Sequence, residues 1–172
     1  MELHDDRLVL RPWREQDAAA VFEECQDPEI HRWIPVIPRP YTEQHALEFV
    51  TGALDIGAYQ FAIEEHSRLV GSIGMGVDED ARIGRIGYWC ARHARGRGIT
   101  TQALRLVCRY ALEDLTLKRL ELITDHENLA SQHVAENVGF QREGVLRSHM
   151  PHPDGQRRDT VIFSLLPGEL AH

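Results

Sequence analysis

The segment Arg95-Gly96-Arg97-Gly98-Ile99-Thr100 has the spacing of an anion site. A glycine turn that opens a helix presents unpaired backbone N–H groups and the positive end of the helix dipole. Glycine lets a phosphate approach the backbone closely and adopts positive φ without strain. Arg95 and Arg97 add charge and forked donors. The window 92–112 holds Arg92, Arg95, Arg97, Arg105 and Arg109 and no Asp or Glu, in a chain of formal net charge −8. A cationic patch in an acidic protein points to a small polyanion as ligand, while the overall charge argues against nucleic-acid binding. Two common phosphate readers do not fit. A dinucleotide fingerprint needs a third glycine where Thr101 stands, and a Walker loop needs a lysine beside the turn, whereas the chain's one lysine is Lys118.

The elements around this turn come from periodicity. Leu8-Val9-Leu10 reads as a strand, and Glu15 to Glu24 as a helix. Asp27-Pro28 breaks that helix, and Pro35, Pro38 and Pro40 make the next stretch a loop. Thr42 is the N-cap of a helix carrying Ala46, Leu47, Phe49, Val50 and Leu54. Tyr59 to Ile63, Leu69 to Val77 and Ile83 to Cys90 form three strands with short connections, an antiparallel meander. A helix over 100–114 carries Ala103, Val107, Tyr110 and Ala111 on one face. Leu120 to Thr124 is a strand, and Ala130 to Asn137 a helix closed by Gly139. Val145-Leu146 and Val161 to Leu165 are the last strands, turning at Asp154-Gly155. The expected class is α+β: one mixed, mostly antiparallel sheet of about seven strands, flanked by about four helices, in a single domain spanning 1–172.

The stretch Gly87-Tyr88-Trp89-Cys90-Ala91-Arg92-His93-Ala94-Arg95-Gly96-Arg97-Gly98-Ile99 resembles the acetyl-CoA signature of the GNAT superfamily. Arg7-Leu8-Val9-Leu10-Arg11-Pro12-Trp13 with Asp17 resembles its ribosomal-protein-alanine N-acetyltransferase (RimJ/RimL-like) branch. So do Asn128-Leu129-Ala130-Ser131, Glu136-Asn137-Val138-Gly139-Phe140 and Glu143-Gly144. The likeness covers nearly the whole chain in order. It departs at His93, where the superfamily prefers Gln or Arg.

The resemblance implies the GNAT fold and direct transfer of an acetyl group from acetyl-CoA to a primary amine: a protein or peptide N-terminus, or a small molecule. It implies that backbone N–H groups of Arg95, Gly96, Arg97, Gly98, Ile99 and Thr100 hold the pyrophosphate. Trp89, Cys90 and Ala91 would pair with the pantetheine arm, and the Cys90 N–H would polarise the thioester carbonyl. Asn128 would bond the pantetheine, and Ser131 would protonate the leaving sulfur. The carboxylate base of some relatives falls, by counting, on Met150, which accepts no proton. His149 and His152 are the nearest side chains of a type that changes charge near neutral pH, and His149 is the candidate base, with Asp78, Glu79 and Asp80 or a water chain as alternatives. Trp33, Tyr41 and Tyr88 are expected to shape the acceptor pocket.

Other expectations are broader. The acidic chain would suit a cationic acceptor. The odd, scattered cysteines Cys25, Cys90 and Cys108 imply free thiols and no metal site. No run of apolar residues is long enough for a membrane span, and the acidic start Met1-Glu2-Leu3-His4-Asp5-Asp6 lacks a signal-peptide pattern, so the expected location is the cytoplasm. The resembling branch favours a homodimer. A rival reading, supported by Met150, is a non-catalytic acyl-CoA-binding regulatory module with the same fold.

Overall fold

A computed structural model describes residues 1–54 and 57–171. Its centre is one eight-stranded sheet: β1 (Leu3–His4), β2 (Leu8–Arg11), β3 (Tyr59–Glu65), β4 (Arg68–Asp78), β5 (Ile83–Cys90), β6 (Arg119–Asp125), β7 (Gln141–Pro151) and β8 (Arg157–Leu165), in the order β1-β2-β3-β4-β5-β6-β8-β7. Five α-helices accompany it among the described residues: α1 (Ala18–Glu24), α2 (Pro28–Trp33), α3 (Glu43–Thr51), α4 (Ile99–Arg109) and α5 (Leu129–Val138). All pairs in the sheet are antiparallel except β5 with β6, which are parallel and joined through α4. The GNAT-like α+β sheet expected from the sequence is therefore present, with one more strand and one more helix.

Both extras have local causes. β1 is a two-residue edge strand, shorter than any periodicity reveals. α2 occupies the stretch read as a loop after a break. Asp27 caps it, accepting the Glu29 N–H at 3.0 Å, and Pro28 takes the first turn, where its missing N–H costs nothing. α4 buries Ala103, Leu104, Val107 and Cys108 on the sheet and ends in a π-helical turn, Tyr110–Asp114, so that helix reaches the length read from its pattern.

A buried ion cluster ties β2 to the start of α1 and to β3. Arg11 holds Asp17 through two hydrogen bonds of 2.8 and 2.9 Å and Glu64 through one of 2.7 Å. Arg11 and Asp17 are 5% and 8% exposed, so each needs the other. Burial alone would raise the Asp17 carboxyl, but the Arg11 guanidinium together with the Arg14 N–H and charge outweighs it and holds the carboxyl below its ordinary range. Asp17→Ala should therefore lower stability by about 3–5 kcal/mol, read as a fall in the urea midpoint at neutral pH. A depressed carboxyl stabilises above its unfolded value of about 3.9 and loses that stabilisation as acid protonates it in the fold. The gap between wild type and variant should close below that pH. A gap constant from pH 7 to pH 3 would show that the ionised carboxylate is not what stabilises.

Candidate active site

The site begins where two strands part. β5 pairs with β4 along its whole length, but with β6 only from Ile83 to Ile86. Beyond Ile86 the strands splay, and the β6-facing edge of Gly87 to Cys90 has no ladder. The Ala91 N–H donates to the Val70 carbonyl at 3.0 Å, so Ala91 faces β4. Strand alternation then turns the Cys90 N–H and C=O into the gap. Two Arg95 guanidinium nitrogens bond that carbonyl, at 3.2 and 3.1 Å.

The glycine turn comes next along the chain. Gly96 and Gly98 have φ of +71° and +75°, and a Cβ at either would meet nothing within 4 Å. Gly98 is the N-cap of α4, and no side chain caps the helix, so the first-turn N–H groups stand uncovered. The two arginine side chains of the turn are already engaged. Arg95 pairs with Asp27 at 2.6 Å and Arg97 with Glu65 at 2.7 Å. Backbone N–H groups are the uncommitted anion donors here, and Arg97, which shares Glu65 with Arg7, adds a partly engaged guanidinium charge. A cavity of about 450 Å³ runs from Gly96, Gly98 and Thr100 past Trp89 and Cys90 to Asn128 and Ser131. Across Gly98 lies a groove of about 560 Å³ that includes Arg7, Arg105, Arg109 and Asn137. The Arg105 Nε is buried there without a hydrogen-bond partner.

A second cavity, of about 410 Å³, shares Trp33, Ile34, Tyr88, Trp89, Asn128 and Ser131 with the first. Asn128 caps α5, its Oδ1 accepting the Ser131 N–H at 3.1 Å, and this fixes Ser131 at the junction. The Tyr88 hydroxyl lies 2.9 Å from the Ser131 Oγ. Burial pushes the Tyr88 phenol up to about 12, so it stays protonated at neutral pH. The second cavity is walled by Phe49, Gly74, Ile86 and Met150, among others, and Asp125 is the one carboxylate among its lining residues.

Residues 7–141 match the acetyltransferase (GNAT) domain family. The chain belongs to the GNAT acetyltransferase family. Its relatives include the uncharacterized N-acetyltransferase p20 of Bacillus licheniformis, 27% identical over 176 residues that cover 98% of each chain. The uncharacterized N-acetyltransferase YoaA of Bacillus subtilis (strain 168) is 29% identical, over 95% of this chain and 96% of that one. Among solved structures, Mycobacterium smegmatis RimJ in complex with CoA-disulfide is 30% identical, with a TM-score of 0.84 over 96% of this chain and 84% of that one. These likenesses make the protein an acetyltransferase of the RimJ/RimL-like branch and lend no support to a non-catalytic module.

Within this GNAT fold, the residues expected from the sequence are unequally placed. Trp89, Cys90, Arg95, Gly96, Gly98, Ile99, Thr100, Asn128 and Ser131 all line the first cavity; Ala91 is buried beside it and Arg97, in the same turn, is exposed outside it. Trp33 and Tyr88 line both cavities. Tyr41 lines neither: its ring packs against His31 and His45, with centroids 6.4 and 5.7 Å away. His149 also lines neither. It is exposed, and its Nδ1 is 3.0 Å from the Thr160 Oγ1. Ser148 takes φ of +53° and the β7 register shifts between Leu146 and Met150, so the cavity receives Met150 and the ring of His149 bonds elsewhere. Asp125, 7% exposed at the end of β6, is a site residue that the sequence alone does not single out. Its only signal there is a carboxylate three residues before the Asn128 cap.

Proposed function

We propose that this protein transfers an acetyl group directly from acetyl-CoA to a primary amine. The observation that carries the reading is the meeting of two cavities at Ser131 and Tyr88, beside the unladdered edge of β5. The first cavity fits the donor. Its open glycine cradle and uncapped α4 N-terminus suit a pyrophosphate, with Arg105 and Arg109 beyond Gly98 for further phosphate charge. The free edge of β5 suits an extended amide-bearing arm, and the Asn128 cap leaves its amide NH2 as a donor to that arm. Acetyl-CoA supplies the activated thioester.

The protein's own groups have separable roles. The Cys90 N–H donates to the thioester carbonyl oxygen, an oxyanion-type interaction worth about 2.7–4 kcal/mol where measured. Tyr88 donates its phenolic proton to the Ser131 Oγ, which leaves the serine O–H aimed at the sulfur. The amine nitrogen forms its bond to the acetyl carbon as the carbon–sulfur bond breaks. The departing sulfur takes a proton from Ser131, Tyr88 holds the serine oxygen meanwhile, and the second proton shed by the nitrogen as the amide forms restores the serine hydroxyl. Asp125 binds the incoming ammonium and takes its surplus proton. Free Cys25, Cys90 and Cys108 suit a reducing compartment, and we place the reaction in the cytoplasm.

Thermal shift with acetyl-CoA, against ATP and NAD, tests the donor. Ligand at 100 times its Kd should stabilise the fold by about 2.7 kcal/mol. No rise with acetyl-CoA removes the reading. Ser131→Ala tests the acid: kcat should fall by about 10²-fold with little change in the KM for acetyl-CoA. A change confined to KM would make Ser131 a binding residue only.

A further inference from the structure

A third cavity, of about 240 Å³, adjoins the second through Trp33 and Asp125, which line both. Its other lining residues are Pro28, Arg32, Arg39, Glu127, His152 and Arg158. Three guanidinium groups thus meet in a small hollow of an otherwise acidic protein. Their existing partners do not use them up. Arg32 stands over the Trp33 ring, 4.4 Å from its centroid, and its nearest carboxylates are 3.7 Å away at Glu127 and 3.8 Å at Glu29, both about half exposed. Arg39 donates to the His31 carbonyl and makes no ion pair among the described residues. Arg158 spends its Nη2 on Asp154 at 2.7 Å, while its Nε is buried without a hydrogen-bond partner. A buried guanidinium N–H without a partner is costly, so Asp154 satisfies Arg158 only in part.

We propose that this hollow is an anion subsite for the acceptor, and that the preferred acceptor carries a carboxylate a few bonds from its reacting amine. The inference rests on the amine-acetyltransferase reading. Asp125 is shared by the two cavities, so one carboxylate of the protein sits between the two halves of such a molecule. It draws the ammonium towards Ser131, and Arg39 and Arg158 draw the carboxylate the other way. Forked guanidinium donors match a carboxylate in geometry as well as charge. The wall of Trp33, Ile34, Phe49 and Met150 in the second cavity is left for the apolar part of the acceptor. The local charge thus runs against the overall composition: in an acidic chain, the lining of the third cavity, three arginines with Asp125 and Glu127, is net cationic.

Two pairs of probes separate the sources of the carboxylate. L-methionine against L-methioninamide reports on the α-carboxylate of an amino acid. The dipeptide amide Ala-Glu-NH2 against Ala-Gln-NH2 reports on the second residue of a peptide. Affinity is measured by calorimetry with desulfo-CoA present, which cannot react, so the comparison does not depend on turnover. In at least one pair the anionic member should bind ten times more tightly or better. Arg158→Ala and Arg39→Ala should each shrink that ratio, and the double variant should bring it within twofold of one. A retained thermal shift with acetyl-CoA certifies that each variant is folded. Parity within both pairs, or a ratio that survives the double variant, overturns the anion subsite. Failure of every amine to be acetylated, with the ratio intact, would instead overturn the transfer reaction and leave the subsite standing.

Discussion

Gly98→Glu is expected to weaken acetyl-CoA binding by more than about 100-fold, or about 2.8 kcal/mol, in calorimetry. Gly98 stands at φ +75° as the N-cap of α4, and a side chain there would project into open space. The substitution therefore clashes with no neighbour, and its cost to the fold is the left-handed conformation, about 1–2 kcal/mol. Its cost to the ligand is far larger. The new carboxylate lies among the uncapped N–H groups, satisfies them, and repels the phosphates that need them. Gly98→Ala separates the two effects, since alanine imposes the same backbone strain without the charge. It should lower Tm at least as much as glutamate does, since it lacks a carboxylate to satisfy those N–H groups, while costing far less affinity. If Gly98→Glu keeps wild-type affinity with its fold intact, the pyrophosphate does not sit on the α4 N-terminus. If alanine and glutamate weaken binding equally, distortion of the turn explains the loss and the charge argument fails.

The contrast between this turn and the acceptor side shows how much a sequence carries. The donor side is built from consecutive residues. A glycine turn, its helix and the strand before it fix one another locally, so Gly96, Gly98 and the β5 edge can be read in order along the chain. Asn128 and Ser131 are legible for the same reason, being an N-cap and the residue whose N–H it accepts. The acceptor side is assembled from separate segments, α2, β4, β5, β6 and β7 among them. Which of their side chains meet depends on where β5 and β6 part and on a register shift in β7. A single slip in register sends alternate side chains to the opposite face. That is why His149 looks like a base in sequence and lies outside the cavity in the fold, while Met150 beside it lines the wall. The pairing of Arg95 with Asp27 and of Arg97 with Glu65 is equally invisible in sequence, since both partners come from distant elements. α2 is the instructive exception. Asp27-Pro28 ends one helix and starts the next, and the capping chemistry of Asp and the N1 preference of Pro are both present in the sequence.

Asp125→Asn is expected to lower kcat/KM for the amine by about 10²–10³-fold at neutral pH, within the usual range for a lost general base. Position singles this residue out. Of the other titratable side chains lining the acceptor cavity, Arg85 cannot accept a proton, and the Tyr88 phenol is held protonated by burial. Asp125 remains, and asparagine keeps its shape and can still accept the Glu127 N–H that its Oδ1 holds at 2.8 Å. The variant loses the negative charge that draws an ammonium and the site that takes its proton. The pH dependence distinguishes this role from a structural one. An acceptor that is already neutral needs no base, and a free α-amine loses its proton at about pH 7.7–8.0. The deficit of the variant should therefore narrow steadily as pH rises through that range, because the acceptor arrives deprotonated and the lost attraction between charges fades with it. A deficit of about the same size well below and well above that range would mean that Asp125 orients the Asn128–Ser131 cap and moves no proton. Wild-type kcat/KM in the variant at neutral pH would mean that solvent takes the proton, and that Asp125 is not part of the transfer at all.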